Sequence, residues 1–371
     1  MRQNSANLSA FATRLREFID GSFGPTKSRA EDDFIGLVGE LYSLQFTHNP
    51  TFRAWCRRQG CDIQPPTQIG EIPTLPAAAW KELEVTCIPP SERTHVFHSS
   101  GTTEHRPSRH FHHADSLAVY SRAATAGFAH RYPGAASRPV LWALTPSAED
   151  APRSSLAYML GCLNRAFDAN GSEFFGRTTP QGWAVDTDRW IKRLHDFSGT
   201  AQPVYLIGTA FSFVHALDDP AFQRGLPPLP PGSHIVETGG YKGRSREMPR
   251  TELHTELAAR FAVPRGSVVT EYGMSELSSQ AYSEPVGESD SPLVFRFPPW
   301  ARALVVSPES GREVADGAVG ILRIIDLANV WSALGIQTAD LALRRGDAFE
   351  LLGRLPEAEA RGCSLLSVPR S

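Results

Sequence analysis

Between residues 93 and 290, short apolar runs alternate with helical ones, and this alternation limits the chain to few folds. Pro139 to Leu144 reads as a strand, followed by a helix from Ser154 to Phe167. Pro203 to Ile207 reads as a strand and Ala210 to Leu217 as a helix. His234 to Glu237 is a further strand. The helix expected from about Pro249 repeats Leu253, Leu257 and Phe261 along one face. Proline suits a first helical turn because its backbone angle is already fixed there. Ser267 to Thr270 is the next strand. Strand–helix–strand order implies parallel strands joined by right-handed crossovers. Thr238-Gly239-Gly240 and Tyr272-Gly273 then leave the sheet at one carboxyl edge, where open α/β sheets bind their ligands.

The flanks have a different character. Residues 1–92 read as a mainly helical region, in which Phe34, Leu37, Val38, Leu41 and Leu44 form a stripe suited to core packing. Residues 291–371 read as a β-rich lobe, with short strands at Ala303 to Ser307, Gly320 to Ile325 and Phe349 to Leu352. At 371 residues the chain can bury a large core. Its net charge of −3 gives no electrostatic case for a nucleic-acid partner. No apolar run approaches membrane-spanning length, and Met1-Arg2-Gln3-Asn4-Ser5 lacks the apolar core of a signal peptide, so a cytoplasmic location is expected. The five cysteines are unevenly spaced and form no Cys-x-x-Cys, which indicates neither a zinc site nor a disulfide framework.

The chemistry concentrates in three segments. Ser99-Ser100-Gly101-Thr102-Thr103 sets four hydroxyls around one glycine, just after the extended run Thr94 to Phe97. Glycine lets backbone N–H groups approach an anion, and the hydroxyls add donors. Arg106 and Arg109 follow. The other segments are Thr238-Gly239-Gly240-Tyr241-Lys242 and Glu271-Tyr272-Gly273-Met274-Ser275-Glu276. The chain holds no Gly-x4-Gly-Lys-Ser/Thr, no Gly-x-Ser-x-Gly and no His-Glu-x-x-His. Six histidines lie between His95 and His113 without acidic partners at ligand spacing, so a solvated or structural role is expected of them.

Together these segments resemble the adenylate-forming enzyme superfamily. More narrowly they are similar to the acyl-protein synthetases of bacterial luminescence fatty-acid reductase systems, with phenylacetate-CoA ligases as cousins. The elements occur in order from Ile72 to Leu366. Ile72-Pro73 with Trp80-Lys81 comes first, then Ser99 to Thr103, Ser154 to Met159, and Ile207-Gly208-Thr209-Ala210-Phe211. Thr238 to Gly243, Tyr272 to Glu276, Thr338-Ala339-Asp340 and Leu352-Gly353-Arg354 follow, ending at Arg361-Gly362-Cys363-Ser364-Leu365-Leu366. Each is weak alone, and the order carries the resemblance.

The resemblance implies an α/β fold like the large N-terminal domain of adenylate-forming enzymes. That fold has a helical N-terminus, a parallel-rich nucleotide-binding core over 93–290 and a small β-rich C-terminal lobe. It implies activation of a carboxylic acid by ATP. Ser99, Ser100, Gly101, Thr102 and Thr103 would hold the β- and γ-phosphates, and Ser275 would reach the α-phosphate. Tyr272 would stack on adenine beside Thr238, Gly239, Gly240 and Gly273. Glu276, expected on a surface loop, would hold Mg²⁺. Asp340 would bind the ribose hydroxyls and Arg354 the ribose or phosphate, with Lys242 at the same site. Cys363 would carry the acyl group as a thioester before delivery to a partner, such as an acyl reductase.

Three departures stand out. Glu104 occupies a place where the phosphate loop usually has glycine, so it must turn away or pair with Arg106 or Arg109. Ala339 replaces the glycine common before the ribose-binding aspartate. The sequence stops at Ser371, seventeen residues after Arg354, so the lid domain of about a hundred residues and its adenylation lysine are expected to be absent. Leu206 to Phe213 and Ser154 to Leu163 are candidate walls of an acyl pocket. Two other readings stay open: direct ligation to coenzyme A or to an amine in natural-product assembly, and a non-catalytic nucleotide-binding partner.

Overall fold

The structure, a computed structural model, describes residues 2–23, 30–99, 106–132, 139–167, 171–180, 182–222, 225–240, 248–284 and 293–355. Helices α1 (Arg2–Gly21), α2 (Ala30–His48) and α3 (Pro50–Arg58) come first. The short strand β1 (Leu75–Pro76), the single turn α4 (Ala79–Glu82) and the hairpin β2 (His95–His98) and β3 (Arg109–His112) follow. Then come α5 (Ala114–Arg131), β4 (Val140–Ala143), α6 (Ser155–Phe167) and β5 (Glu173–Phe174). A second hairpin, β6 (Gly176–Thr179) and β7 (Gly182–Val185), leads into α7 (Thr187–Phe197). The alternation resumes with β8 (Val204–Gly208), α8 (Ala210–Leu217), β9 (His234–Glu237), α9 (Arg250–Phe261) and β10 (Val268–Tyr272). The chain finishes with β11 (Ala281–Ser283), β12 (Val294–Arg296), β13 (Ala301–Val306), β14 (Val319–Asp326), β15 (Gly335–Arg345) and β16 (Ala348–Arg354).

One 12-stranded sheet runs through the molecule in the order β13-β14-β15-β16-β12-β11-β10-β9-β8-β4-β5, with β1 beside β15. From β10 to β5 every pair is parallel, and from β10 to β13 every pair is antiparallel. The two halves belong to one sheet, because β12 joins β11 on one side and β16 on the other.

Helices cover both faces of the parallel half, so its strands are apolar throughout. All residues of β4, β8 and β10 are buried. One face packs Leu206, Ile235 and Val268 against α7, α8 and α9. The other packs Val236 and Val269 against α5 and α6. The N-terminal helices instead close over the antiparallel half, where Phe11, Phe34, Tyr42 and Phe52 share a core with Leu322, Ile324 and Ile336. Helix starts are fixed locally. Asn49 and Thr209 each accept a hydrogen bond from a backbone N–H of the first turn, satisfying a donor the helix cannot use itself. Among the described residues no helix is long and apolar enough to cross a membrane.

The sequence pattern locates β4, α6, β8, α8, β9, α9 and β10 within a residue or two of their observed ends. It passes over β6, β7 and α7, whose amphipathic stripe of Trp190, Leu194 and Phe197 is interrupted by charged residues.

Candidate functional site

The last residue of β10 joins two halves of the site. Tyr272 is buried, and its hydroxyl donates to Asp340 Oδ2 at 2.7 Å. Burial, reinforced by the Asp340 carboxylate, holds that phenol well above its ordinary pKa. Arg354 Nε donates to Asp340 Oδ1 at 3.1 Å. The register of β15 and β16 sets Asp340 opposite Arg354, so sheet pairing alone creates this contact. The Tyr272 ring meets Phe349 edge-on at 5.5 Å, which fixes its plane.

The glycine loop lies beside it on the neighbouring parallel strand. Gly239 and Gly240 have φ of 69° and 80°, left-handed backbone that favours glycine. Their carbonyls accept from Ala210 N and Phe211 N at the start of α8. Glu237, buried at the end of β9, accepts from Gly239 N and from Thr270 Oγ1. His254 of α9 approaches the same carboxylate at 3.6 Å. Glu237 thus braces the loop from below.

Ser275 and Glu276 follow Tyr272-Gly273. Glu276 is only 5% exposed. Burial raises the pKa of its carboxyl, while the Ser108 hydroxyl and the positive charges of Arg354 and Lys81 act in the opposite direction. Those three groups come from β16, from α4 and from the segment preceding β3. The Ser275 carbonyl accepts from His110 Nδ1 of β3 at 2.6 Å. At the base of that hairpin Ser108 N donates to Ser99 Oγ at 3.0 Å, tying together the two ends of the 100–105 segment.

The far end of the same loop is clamped. Asp326 Oδ2 accepts from Ser278 N and Ser279 N at 2.9 Å each. Its Oδ1 accepts from Ser279 Oγ at 2.6 Å and Ala328 N at 2.9 Å. Asn329 Nδ2 donates to the Glu276 carbonyl at 2.9 Å. Glu271, one residue before Tyr272, is buried beside Gly273, where any side chain at 273 would strike its carboxylate. Burial, with a smaller contribution from Glu237, pushes Glu271 up to about 8.

Over 344 residues the chain is 22% identical to the long-chain-fatty-acid–luciferin-component ligase of Aliivibrio fischeri, covering 89% of this chain and 86% of that one. Its fold matches 2-hydroxyisobutyryl-CoA ligase in the postadenylation state with 2-HIB-AMP at a TM-score of 0.66 and 15% identity, over 89% of this chain and 69% of that one. An open conformation of that ligase with 2-HIB-AMP and CoA matches at 0.65 and 15% identity, over 90% and 76%. By sequence the chain is similar to that luciferin-component ligase, and by fold to that CoA ligase. No family model matches it.

The structure gathers Thr238, Gly239, Gly240, Tyr272, Gly273, Ser275, Glu276, Asp340 and Arg354 around the ends of β9 and β10 and the adjoining β15–β16 pair, with Ser99 at the hairpin base. Ser100, Gly101, Thr102, Thr103, Glu104, Lys242 and Cys363 lie outside the described residues. Glu276 departs from the expected surface position, because three separate elements and the Asn329 anchor enclose it. The two candidate acyl walls also separate. Met159, Leu160 and Leu163 pack with Ile207 on the α5 face, whereas Leu206, Ala210 and Phe213 pack on the opposite face.

The histidine-rich stretch proves structural where it is described. His110 and His112 are buried side by side, and His113 caps α5 by accepting from Ser116 N. Among the described residues no three His, Cys, Asp or Glu side chains gather as metal ligands. Sequence reasoning missed Ser108, His110, Glu237, Asp326 and Asn329 as partners of the site. For His110 a signal existed: strand alternation puts His110 and His112 on one face, an unusual pairing for a strand with no solvent to meet.

Proposed function

We infer that this chain uses ATP to activate a carboxylic acid and then passes the acyl group to a thiol. The acid's carboxylate oxygen attacks the α-phosphorus, pyrophosphate leaves, and an acyl-adenylate remains. A thiolate then attacks the acyl carbonyl carbon and AMP leaves. The observation that carries this reading is the junction at Tyr272. One short stretch holds the Tyr272–Asp340–Arg354 chain of hydrogen bonds, the buried Glu276 and the braced Gly239-Gly240 loop.

Each residue then has a task. Tyr272, anchored through its hydroxyl, stacks on adenine, and Thr238, Gly239, Gly240 and Gly273 let the base approach the backbone. Asp340 accepts from the ribose hydroxyls, and Arg354 pairs with it or with a phosphate. Ser99 through Thr103 hold the outer phosphates, Ser275 the α-phosphate, and Lys242 adds positive charge. Arg354 and Lys81 bring further positive charge to the neighbourhood of Glu276.

A single buried carboxylate suits Mg²⁺ that arrives with ATP, because this ion is held by one or two carboxylates plus substrate phosphates and water. Glu276 fits that demand, since a carboxylate whose burial disfavours its charge is stabilised by a cation nearby. When bound, the ion offsets negative charge on the phosphate oxygens.

For the acceptor we assign Cys363, with a partner acyl reductase or another thiol downstream. The thiolate is the reactive form, and a cation brought close to a thiol favours it. Acid-dependent exchange of labelled pyrophosphate into ATP across a panel of fatty, aryl and amino acids tests the first half. Absence of exchange with every acid would identify a non-catalytic nucleotide-binding protein. Intact-mass measurement after ATP, Mg²⁺ and an accepted acid tests the second half. Wild type gains one acyl mass that hydroxylamine removes, and Cys363→Ser makes adenylate without that adduct. Release of product to coenzyme A or an amine with no adduct on the protein makes this chain a direct ligase.

A further inference from the structure

We propose that His110 is a positioning residue, which locks the β2–β3 hairpin to the Ser275–Glu276 turn so that the Glu276 carboxylate is held at one place relative to the hairpin. The proposal rests on the reading of Glu276 as the Mg·ATP carboxylate.

His110 is 2% exposed, and its Nδ1 meets the Ser275 carbonyl at 2.6 Å. A carbonyl oxygen only accepts, so the ring must carry its proton on Nδ1. Burial pulls the imidazole down to about 4, which keeps it neutral and leaves this one tautomer. The ring cannot swing away. His112 packs against it with centroids 4.5 Å apart, and His112 Nδ1 is itself 3.1 Å from Ser116 Oγ at the start of α5. The hydrogen bond is therefore backed by a helix.

Two further contacts make this a joint between elements and not a local cap. Ser108, two residues before His110, has a buried hydroxyl near the Glu276 carboxyl, with no hydrogen-bond partner among the described residues. The Ser108 N–H is fixed by Ser99 Oγ, one residue past the end of β2. From the opposite side Asn329 holds the Glu276 carbonyl. The Ser275–Glu276 peptide is thus gripped by β3 on one flank and by the Asp326–Asn329 clamp on the other. Loss of the His110 donor leaves a buried carbonyl unpaired, a state the loop relieves by shifting. A shift there moves Glu276 directly.

The test uses the full chain with three substitutions. His110→Phe keeps a buried planar ring and removes the donor. His110→Asn restores an N–H where Nδ1 stood, and His110→Gln sets one where Nε2 stood. ATP affinity is measured by calorimetry with and without Mg²⁺, beside pyrophosphate exchange resolved into kcat and KM. His110→Phe should bind metal-free ATP like wild type and lose about tenfold in the gain conferred by Mg²⁺, the worth of one hydrogen bond. His110→Asn should recover most of that gain and His110→Gln little. If His110→Phe does not fold, the Asn and Gln variants carry the test between them. Equal Mg²⁺ gains for wild type and His110→Phe, or equal losses for Asn and Gln, overturn the proposal. Glu276→Gln is the control: if it keeps the full Mg²⁺ gain, the reading of Glu276 itself is wrong. If it loses the gain while His110→Phe keeps it, only the role of His110 is wrong.

Discussion

On the parallel side of β10 the groups proposed to face a ligand stand on loops, and on the antiparallel side they stand within strands. Thr238, Gly239 and Gly240 leave β9 at its carboxyl end, where parallel pairing with β10 brings them beside Tyr272 and Gly273. Asp340 and Arg354 instead belong to β15 and β16 and meet through strand register. The first arrangement needs only chain direction, so loops can vary over a constant sheet. The second needs exact pairing, because a slip of one residue would turn Asp340 to the other face. The same contrast divides two buried carboxylates, one within the loop after β10 and one that clamps it from β14. Asp326 on β14 accepts four hydrogen bonds and belongs to the scaffold. Glu276 lies near two cationic side chains and is the carboxylate proposed here to meet a ligand's cation.

The largest effect expected from this contrast is on folding. Asp326→Leu leaves Ser278 N, Ser279 N and Ala328 N buried without their acceptor, at a cost of about 3–5 kcal/mol. Urea unfolding should show this as a lower midpoint. A loss below about 1 kcal/mol would mean the loop has other partners and the division between scaffold and site is false.

Glu276→Gln should do the reverse. Replacing a carboxylate whose charge is disfavoured by burial leaves the unfolding midpoint unchanged or raises it. Pyrophosphate exchange should fall about a hundredfold, the scale of one preorganised electrostatic contact. Exchange within a few-fold of wild type, together with a collapsed midpoint, would put Glu276 in the scaffold with Asp326.

Glu271 gives the parallel half a pH signature. Its folded pKa of about 8 lies above the ordinary carboxyl value of 4.5 in the unfolded chain. Between these values the folded state binds a proton that the unfolded state has lost, so stability falls as pH rises. The contribution is fully present below 4.5, declines by about 1.4 kcal/mol per pH unit at most, and is gone above 8. Unfolding free energies measured from pH 5 to 8 should decline more steeply for wild type than for Glu271→Gln. Parallel curves would show that the carboxyl is ionised in the folded protein.

What could be read from sequence follows the same division. The strands β4, β8, β9 and β10 announce themselves as apolar runs between helical periods, and Gly239-Gly240 marks a backbone that other residues resist. Tyr272, Glu276, Asp340 and Arg354 stand out as candidates because they lie in motif order. Asp326, Asn329 and Gln45 were not, since one polar residue inside an apolar strand or helix carries no periodic signal. Gln45 Nε2 donates to the Asn329 carbonyl across 284 residues of sequence, and only the fold brings them together. The burial of Glu276 was hidden for the same reason. Its neighbours Lys81, Ser108 and Arg354 come from three distant segments.

Arg354 should show the smallest effect, and it examines the register half of the comparison most directly. Its side chain is 78% exposed although its Nε bonds to Asp340. Solvent screens such a contact, so its worth to folding is small. Arg354→Ala should leave the unfolding midpoint within error and raise the KM for ATP about threefold, or about 0.6 kcal/mol, with kcat little changed. Asp340 keeps its hydrogen bond from Tyr272 in that variant and stays aimed by its strand. Arg354→Lys should behave like the alanine variant if Nε geometry matters, because an ammonium lacks the planar donor. It should behave like wild type if positive charge near Glu276 is what counts. A hundredfold loss in Arg354→Ala would break the comparison, for it would make an exposed strand-end arginine as important as the buried carboxylate it faces.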